Sequence, residues 1–282
     1  MRKGANNVHK RVLLVLFFFF FGRGFFLIAQ PFHILSLNIR YDNPSDGENA
    51  WSHRKEELTR YILDSLQPDI ICLQEVLHHQ LNFLNEHWNA HYQYYGVGRE
   101  DGHEQGEFAP VFFKKSRWER IAAKTIWLSP TQDQPSKGWD AACERILTVV
   151  YLKDIVRQDT VCIFNTHWDH QGAQAREQSA KKLLTEFEKV PKHWRFYGAG
   201  DFNAKEDEAS ILLLKAVWRD LCPLEQRQSS TFNSFQDVEF HSRIDYLWTR
   251  KEDERQYQYY QKRKVGKLKF ISDHDLIGGE LK

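Results

Sequence analysis

Four cysteines in 282 residues, at positions 72, 143, 162 and 222, are not spaced as a zinc site. Cys72 and Cys162 fall inside apolar, strand-like runs and read as small core residues. An exported chain could still oxidise its thiols, so pairing of Cys143 and Cys222 stays open. Net charge is almost absent: 39 Lys and Arg against 38 Asp and Glu give +1. That leaves no bulk basic footprint of the kind a nonspecific DNA binder carries. No internal repeat, Pro/Ser-rich linker or low-complexity segment follows residue 30, which favours one domain. At 41% hydrophobic and 14% aromatic, the chain can bury a substantial core, which excludes disorder.

The N-terminus differs in kind. Arg2, Lys3, Lys10 and Arg11 precede an unbroken apolar run from Val12 to Phe21; Gly22-Arg23-Gly24 interrupts it and Phe25 to Ala29 completes it. This reads as a secretory signal over residues 1–29, giving a periplasmic or secreted protein of residues 30–282. An N-terminal membrane anchor or a misassigned start are the alternatives, but the run is shorter than the ~20 residues a spanning helix needs. No stable membrane insertion is expected after signal removal. The segment carries five basic and no acidic residues, so Lys and Arg fall from 39 to 34 against 38 acidic and the mature charge is near −4.

Along the mature chain, strands are predicted over 32–39, 69–75, 92–98, 109–113, 117–128, 146–152, 160–166, 194–200, 241–249 and 268–271, with helices over 51–66, 77–88, 171–190 and 206–216. Alternation and consecutive strand runs together suggest mixed sheets covered by helices. The stretch that organises the rest is Gly198-Ala-Gly200-Asp201-Phe-Asn203, at the end of a basic, aromatic approach. Residues i and i+2 of an extended chain share a face, so Asp201 and Asn203 would address one small volume. A carboxylate can deprotonate a water there, and a carboxamide can donate to a developing oxyanion. Other strands end in the same way: Asn38 closes Leu35-Ser-Leu, Glu75 closes Ile70-Ile-Cys-Leu-Gln, and His167 closes Phe164-Asn-Thr. Glu107 precedes the Ala109 run, Asp245 sits within Arg243-Ile-Asp-Tyr, and Asp273-His274 follow Ile271. Read singly, each has a plain role available: Glu75 as a helix cap, His167 as a core histidine, Asp245 as a buried acceptor. Together, carboxylate and amide oxygens suit Mg²⁺ or Mn²⁺, and imidazoles beside carboxylates suit proton transfer or phosphate binding.

In their order, Leu-Asn38-Ile-Arg, Leu-Gln74-Glu75, Gly-Glu107, Asn-Thr166-His167, Gly-Asp201-Phe-Asn203, Ile-Asp245-Tyr and Ser272-Asp273-His274 resemble the endonuclease/exonuclease/phosphatase superfamily, the fold of pancreatic-type deoxyribonuclease. The resemblance spans residues 33–281. Further stretches, among them Asn38-Ile-Arg-Tyr-Asp-Asn-Pro-Ser-Asp-Gly and Thr166-His-Trp-Asp-His170, look like exported bacterial members. Gly96-x-Gly98 is no dinucleotide fingerprint, because no helix pattern follows it. The resemblance implies a four-layer α/β sandwich, two mixed β-sheets packed face to face with helices outside. It implies a metal-dependent phosphoester hydrolase, phosphatase or phosphodiesterase, using Mg²⁺ or Mn²⁺ and water attack at phosphorus. Asn38, Glu75 and Asp273 would hold the metal. Asp201 would orient or deprotonate water, Asn203 would bind a phosphate oxygen, and His274 would act with Asp245 behind it. His167, supported by Glu107, would be a second phosphate-binding or acid histidine.

Arg145 reads either as a clamp on phosphate oxygens or as a surface residue opening a strand. Arg99, Asp169 and His170 belong to the subgroup stretches and are candidate pocket residues. A monomer acting on a phosphoester is expected. A secreted nuclease of the same fold is the alternative, disfavoured by charge. A catalytically inactive binding protein is weaker still, because every motif residue is present. The tract Arg250 to Lys269 could touch a polyanion, but Glu252, Asp253 and Glu254 dilute it and a solvated hairpin is the favoured reading. The aromatic, Pro-containing loop Trp127 to Trp139 could wall a compact pocket, which leans toward small substrates.

Overall fold

A computed structural model describes residues 1, 32–237 and 242–281. The expected signal segment lies outside them apart from Met1, as does His241, the start of one expected strand. No helix among the described residues is long and apolar enough to cross a membrane.

Among the described residues, twelve strands form two mixed sheets of six. The first sheet has the order β11 (Tyr257–Lys262), β12 (Leu276–Leu281), β1 (Phe32–Asn38), β2 (Ile70–Gln74), β4 (Val111–Lys114) and β3 (Tyr92–Tyr95). The second has the order β5 (Trp118–Trp127), β6 (Ile146–Asp154), β7 (Thr160–His167), β8 (Arg195–Asp201), β10 (Asp245–Arg250) and β9 (Trp218–Asp220). Each sheet holds a central parallel pair, β1–β2 or β7–β8, flanked by antiparallel strands. The sheets share one core, in which Ile34, Cys72 and Phe113 of the first meet Val150, Ile163 and Leu247 of the second. Helices α1 (Trp51–Arg60) and α2 (His78–Trp88) cover the outer face of the first sheet, and α3 (Ala173–Glu188) and α4 (Ala209–Val217) that of the second. This is the expected four-layer sandwich. Strands buried on both faces read as continuous apolar runs, as Ile70 to Leu73 do.

Three local readings change. Leu268 to Ile271 is not a strand; only a bridge from Val265 to Leu268 forms there. The last strand is instead β12, whose Gly278 faces the Tyr260 ring so closely that a Cβ would lie 2.1 Å from it. The Arg250 to Lys269 tract is not a free hairpin either. Its middle pairs with β12 as edge strand β11 and sinks Tyr259 into the intersheet core. Several of its cations are engaged: Arg250 donates to main-chain carbonyls, Arg255 pairs with Asp253, Arg263 with Asp275, and Lys264 and Lys269 with Asp237. The helix expected over 51–66 forms, but its last six residues, Tyr61–Leu66, wind as a π-helix closed by left-handed Gln67. All four cysteines are free thiols, with Cys72, Cys162 and Cys222 buried.

Candidate functional site

Both parallel pairs end at the same end of the sandwich. Register sets Asn38 beside Gln74 and His167 beside Asp201, while antiparallel β10 brings Asp245 opposite Asp201. The chain then turns sharply. Glu75 and Asn203, just past their strands, both take left-handed φ, 59° and 46°. Such backbone costs of order 1 kcal/mol or more per residue and gathers at functional sites. Asn203 therefore departs from the extended geometry that suggested a face shared with Asp201. A local turn restores the convergence, because Asp201 Oδ1 accepts the Asn203 N–H at 2.9 Å.

Asp201 lies at the centre. Its Oδ2 accepts from Asn38 Nδ2 at 3.1 Å, and stands 3.5 Å from His167 Nε2 and 3.7 Å from His274 Nε2. The other nitrogen of each imidazole faces a carboxylate: His274 Nδ1 lies 2.9 Å from Asp245, and His167 Nδ1 lies 3.4 Å from Glu107. Asn203 Nδ2 donates to the Trp168 carbonyl and faces His167 Nε2 at 3.1 Å. Asn38 is fully buried and turns its amide nitrogen toward Glu75 as well, at 2.9 Å, while its oxygen accepts from Arg40 N. Asp273 stands to one side, 3.5 Å from Arg40 Nη1.

The electrostatics follow from this crowding. Burial alone would lower the His274 pKa, but Asp245, Asp201 and Asp273 outweigh it and hold the ring protonated well above the ordinary histidine range. Burial would raise Glu107, yet the His167 hydrogen bond and the charges of Arg99 and Arg145 bring it down to about 2. Asp273 is raised, by burial and by the nearby charge of Glu75, against His274 and Arg40. Four carboxylates, Glu75, Asp201, Asp245 and Asp273, thus face Arg40, itself pinned by Asp46, and His274. Donor atoms of Glu75, His167 and Asp201 lie within 4.8 Å of one another, as do those of Asp201, Asp245 and His274. This donor set, short of positive charge, fits a divalent cation. The opposite end of the sandwich differs. There Arg117 pairs with Asp69 and Asp154, and Arg195 with Asp154 and Asp159.

A cavity of about 730 Å³ opens over the group. Glu75, Arg99, Glu107, Arg145, His167, His170, Asp201, Asn203, Asp273 and His274 line it, with Asn38 and Asp245 buried behind. Arg145 is no surface residue: it is 4% exposed, with Nε on Asp169 and Nη2 3.0 Å from His170. Arg99 pairs with Glu107 at 2.7 Å. Asp169 faces away from chemistry, because its oxygens accept the N–H groups of Ala142, Gln171 and Gly172 and tie two loops together. Sequence reading assigned no pocket role to Arg40, Tyr41, Ser45, Asp46, Cys143, Phe232, Ser234, Phe235 and Ile244, which complete the wall. Arg40, Tyr41, Ser45 and Asp46 carried a signal, standing in the stretch Asn38-Ile-Arg-Tyr-Asp-Asn-Pro-Ser-Asp-Gly, and Ile244 stood beside Asp245.

The model of the endonuclease/exonuclease/phosphatase family matches residues 35–274. No curated protein matches the chain. Among solved structures, an endonuclease/exonuclease/phosphatase from Bacteroides vulgatus is 29% identical with a TM-score of 0.81, over 89% of this chain and 98% of its own. A mannosyl-6-phosphatase from Bacteroides thetaiotaomicron is 28% identical with a TM-score of 0.79, over 89% and 99%. A TDP2 from D. rerio, complexed with single-strand DNA product, shares the fold at 19% identity and a TM-score of 0.70, over 90% and 99%.

Proposed function

The chain belongs to the endonuclease/exonuclease/phosphatase family of phosphoester hydrolases, and from that premise we propose that it is a Mg²⁺- or Mn²⁺-dependent hydrolase of small phosphoesters, sugar phosphomonoesters foremost. The observation that carries this reading is the pair of carboxylate-backed imidazoles, His167 and His274, on either side of Asp201 at the floor of one compact cavity. A phosphorus centre seated there meets a base, two imidazoles and an amide donor at once.

Asp201 takes a proton from the attacking water, whose oxygen forms the new bond to phosphorus. His274, kept charged by Asp245, and Asn203 donate to the non-bridging oxygens as charge builds on them. His167, its imidazolium steadied by Glu107, gives its proton to the leaving oxygen as the ester bond breaks. Arg99 and Arg145 present positive charge to the phosphate from one wall, with His170 beside Arg145. Glu75 and Asp273, with Asn38 beside them, would hold the divalent cation, which when bound neutralises phosphoryl charge.

Size and charge favour small substrates over nucleic acid. A cavity of about 730 Å³ is of the order that encloses a small molecule. Five acidic residues, Asp46, Glu75, Glu107, Asp201 and Asp273, line it against three arginines. The mannosyl-6-phosphatase neighbour supports a sugar monoester. The basic leader and apolar run of residues 2–29 support export.

The test is a turnover panel on residues 30–282 with Mg²⁺ and with Mn²⁺, covering sugar phosphates, nucleotides, aryl monoesters and diesters, plasmid and single-stranded DNA. Hydrolysis of small esters, silenced by excess chelator and restored by either metal, is expected. Preferential, steeply salt-dependent cleavage of DNA would replace this reading with a nuclease. Full activity in chelator would remove the metal role of Glu75.

A further inference from the structure

We propose that the turn Asn233–Phe235 is the platform for the leaving group, and that it selects a hydroxylated ring such as a hexose carrying the phosphate on its exocyclic carbon. The inference rests on the phosphomonoester reading above. Its starting point is backbone strain. Ser234 and Phe235 take left-handed φ in succession, 51° and 57°, and neither is glycine. A bulky aromatic residue stays in that region only where its surroundings over-determine it.

They do so here. Asn233 is fully buried; its Oδ1 accepts the Phe235 N–H at 2.8 Å, and its Nδ2 donates to the Ser272 carbonyl and to Asp275. The N–H groups of Asn233 and Ser234 both donate to the Asp273 carbonyl, at 2.7 and 3.0 Å. The turn is therefore bolted to the residue before His274, and its distance from the phosphate position is set by the same backbone. Beneath it lies Arg54, a buried guanidinium 5.4 Å from the Phe235 ring centre, which donates to the carbonyls of Ile39 and Ile271. Phe270 meets the ring edge-on at 6.2 Å. The ring is only half-buried, and with Ser234 it lines the cavity.

The cavity thus has two unlike walls. Arg99 and Arg145 are cationic and suit the phosphate dianion, with His170 accepting from Arg145 beside them. Tyr41, Ser45, Ser234 and Phe235 are aromatic and hydroxylated. The negative π face of a phenyl ring attracts polarised C–H groups, and serine hydroxyls exchange hydrogen bonds with alcohols. A pyranose offers both kinds of surface; an acyclic polyol lacks the flat C–H face.

The test compares kcat/KM for a hexose 6-phosphate with that for glycerol 3-phosphate. The wild type should prefer the hexose ester. Phe235→Ala should lower that preference about tenfold, chiefly through KM. Phe235→Leu, which keeps apolar bulk over Arg54, should lower it too, and Phe235→Tyr should retain it; circular dichroism checks folding of each. A wild type with no hexose preference overturns the inference, as does a preference that survives in both the Ala and Leu variants. A shift confined to 5′-nucleotides also overturns it, in favour of a nucleobase. A wild type that turns over no monoester at all refutes the proposed function itself, and the inference falls with it.

Discussion

Gly200→Ala should cripple the protein for a reason visible in one distance. Gly200 has φ +149°, a conformation strained for any L side chain, and a Cβ there would lie 2.1 Å from the Thr166 carbonyl oxygen and 3.1 Å from its carbon. An ordinary C···O contact is about 3.3 Å, so β7 and β8 must part by roughly 1 Å at this point. Thr166 and Gly200 are register partners, and the next pair is His167 and Asp201. Relief of the clash therefore separates Asp201, the proposed base, from the His167 imidazole. Strain and clash together should cost about 2–4 kcal/mol. For a domain of this size that lowers Tm by roughly 5–15 °C. A displacement near 1 Å in the site should also lower kcat about 100-fold. Gly198→Ala is the control. Its Cβ would meet Phe196 and Trp248 side-chain atoms at 3.4 Å, an ordinary contact, and it should lose less than about 1 kcal/mol. Thermal unfolding by circular dichroism and turnover on the best panel substrate measure both effects. A Gly200→Ala protein with wild-type Tm and rate, or a Gly198→Ala protein equally damaged, would refute the reasoning.

Asp201→Ala and His274→Ala should each lower turnover by a factor of about 10² to 10⁴ while the far-ultraviolet spectrum and cooperative unfolding persist; near-wild-type rates in either sink the mechanism. Asp253 tests the pH dependence away from the site. Burial would raise its carboxyl, but hydrogen bonds from Arg255 and Tyr257 and the Arg255 charge hold it at about 2. A folded pKa below the unfolded value near 3.9 contributes stability that is present above pH ~4 and lost as pH falls toward 2. The stability gap between wild type and Asp253→Asn in urea unfolding should therefore narrow across that window, and a pH-independent gap would contradict the assignment.

Much of the fold was legible because its signals are local. A strand buried on both faces is a run such as Ile70 to Leu73, and strands that end at the rim turn polar over their last residues, as at Asn38, at Gln74-Glu75 and at Asn165-Thr-His167. What failed locally was set by distant partners. β12 carries Gly278 and Gly279, poor strand formers by themselves, and at Gly278 the Tyr260 ring occupies the space a side chain would take. β11 reads as a charged excursion until its pairing with β12 shows which tyrosine faces the core. Leu268 to Ile271 has strand composition, but the Leu268 N–H closes a tight turn on Val265, the Ile271 N–H donates to the Arg263 carbonyl, and the Ile271 carbonyl accepts from Arg54.

The same distinction divides the site. Groups assigned to chemistry sit on strand ends, where the register of two parallel pairs fixes them, and register is written in apolar alternation. The facing wall is made by segments such as 40–46 and 232–235, whose shape depends on left-handed residues and on bonds to carbonyls far along the chain, as Asn233 to Ser272 and Arg54 to Ile271. No periodicity encodes those bonds. A chain can therefore keep its phosphate-handling residues in readable motifs while the residues that choose the leaving group change without disturbing them. The fold shared with a mannosyl-6-phosphatase at 28% identity and with a TDP2 at 19% shows the scaffold persisting while sequence drifts, and the proposed function places the drift that matters for the leaving group in the facing wall. On that view Ser234 and Phe235, rather than Asp201 or His274, are where substitution should change what the protein accepts without changing what it does to phosphorus.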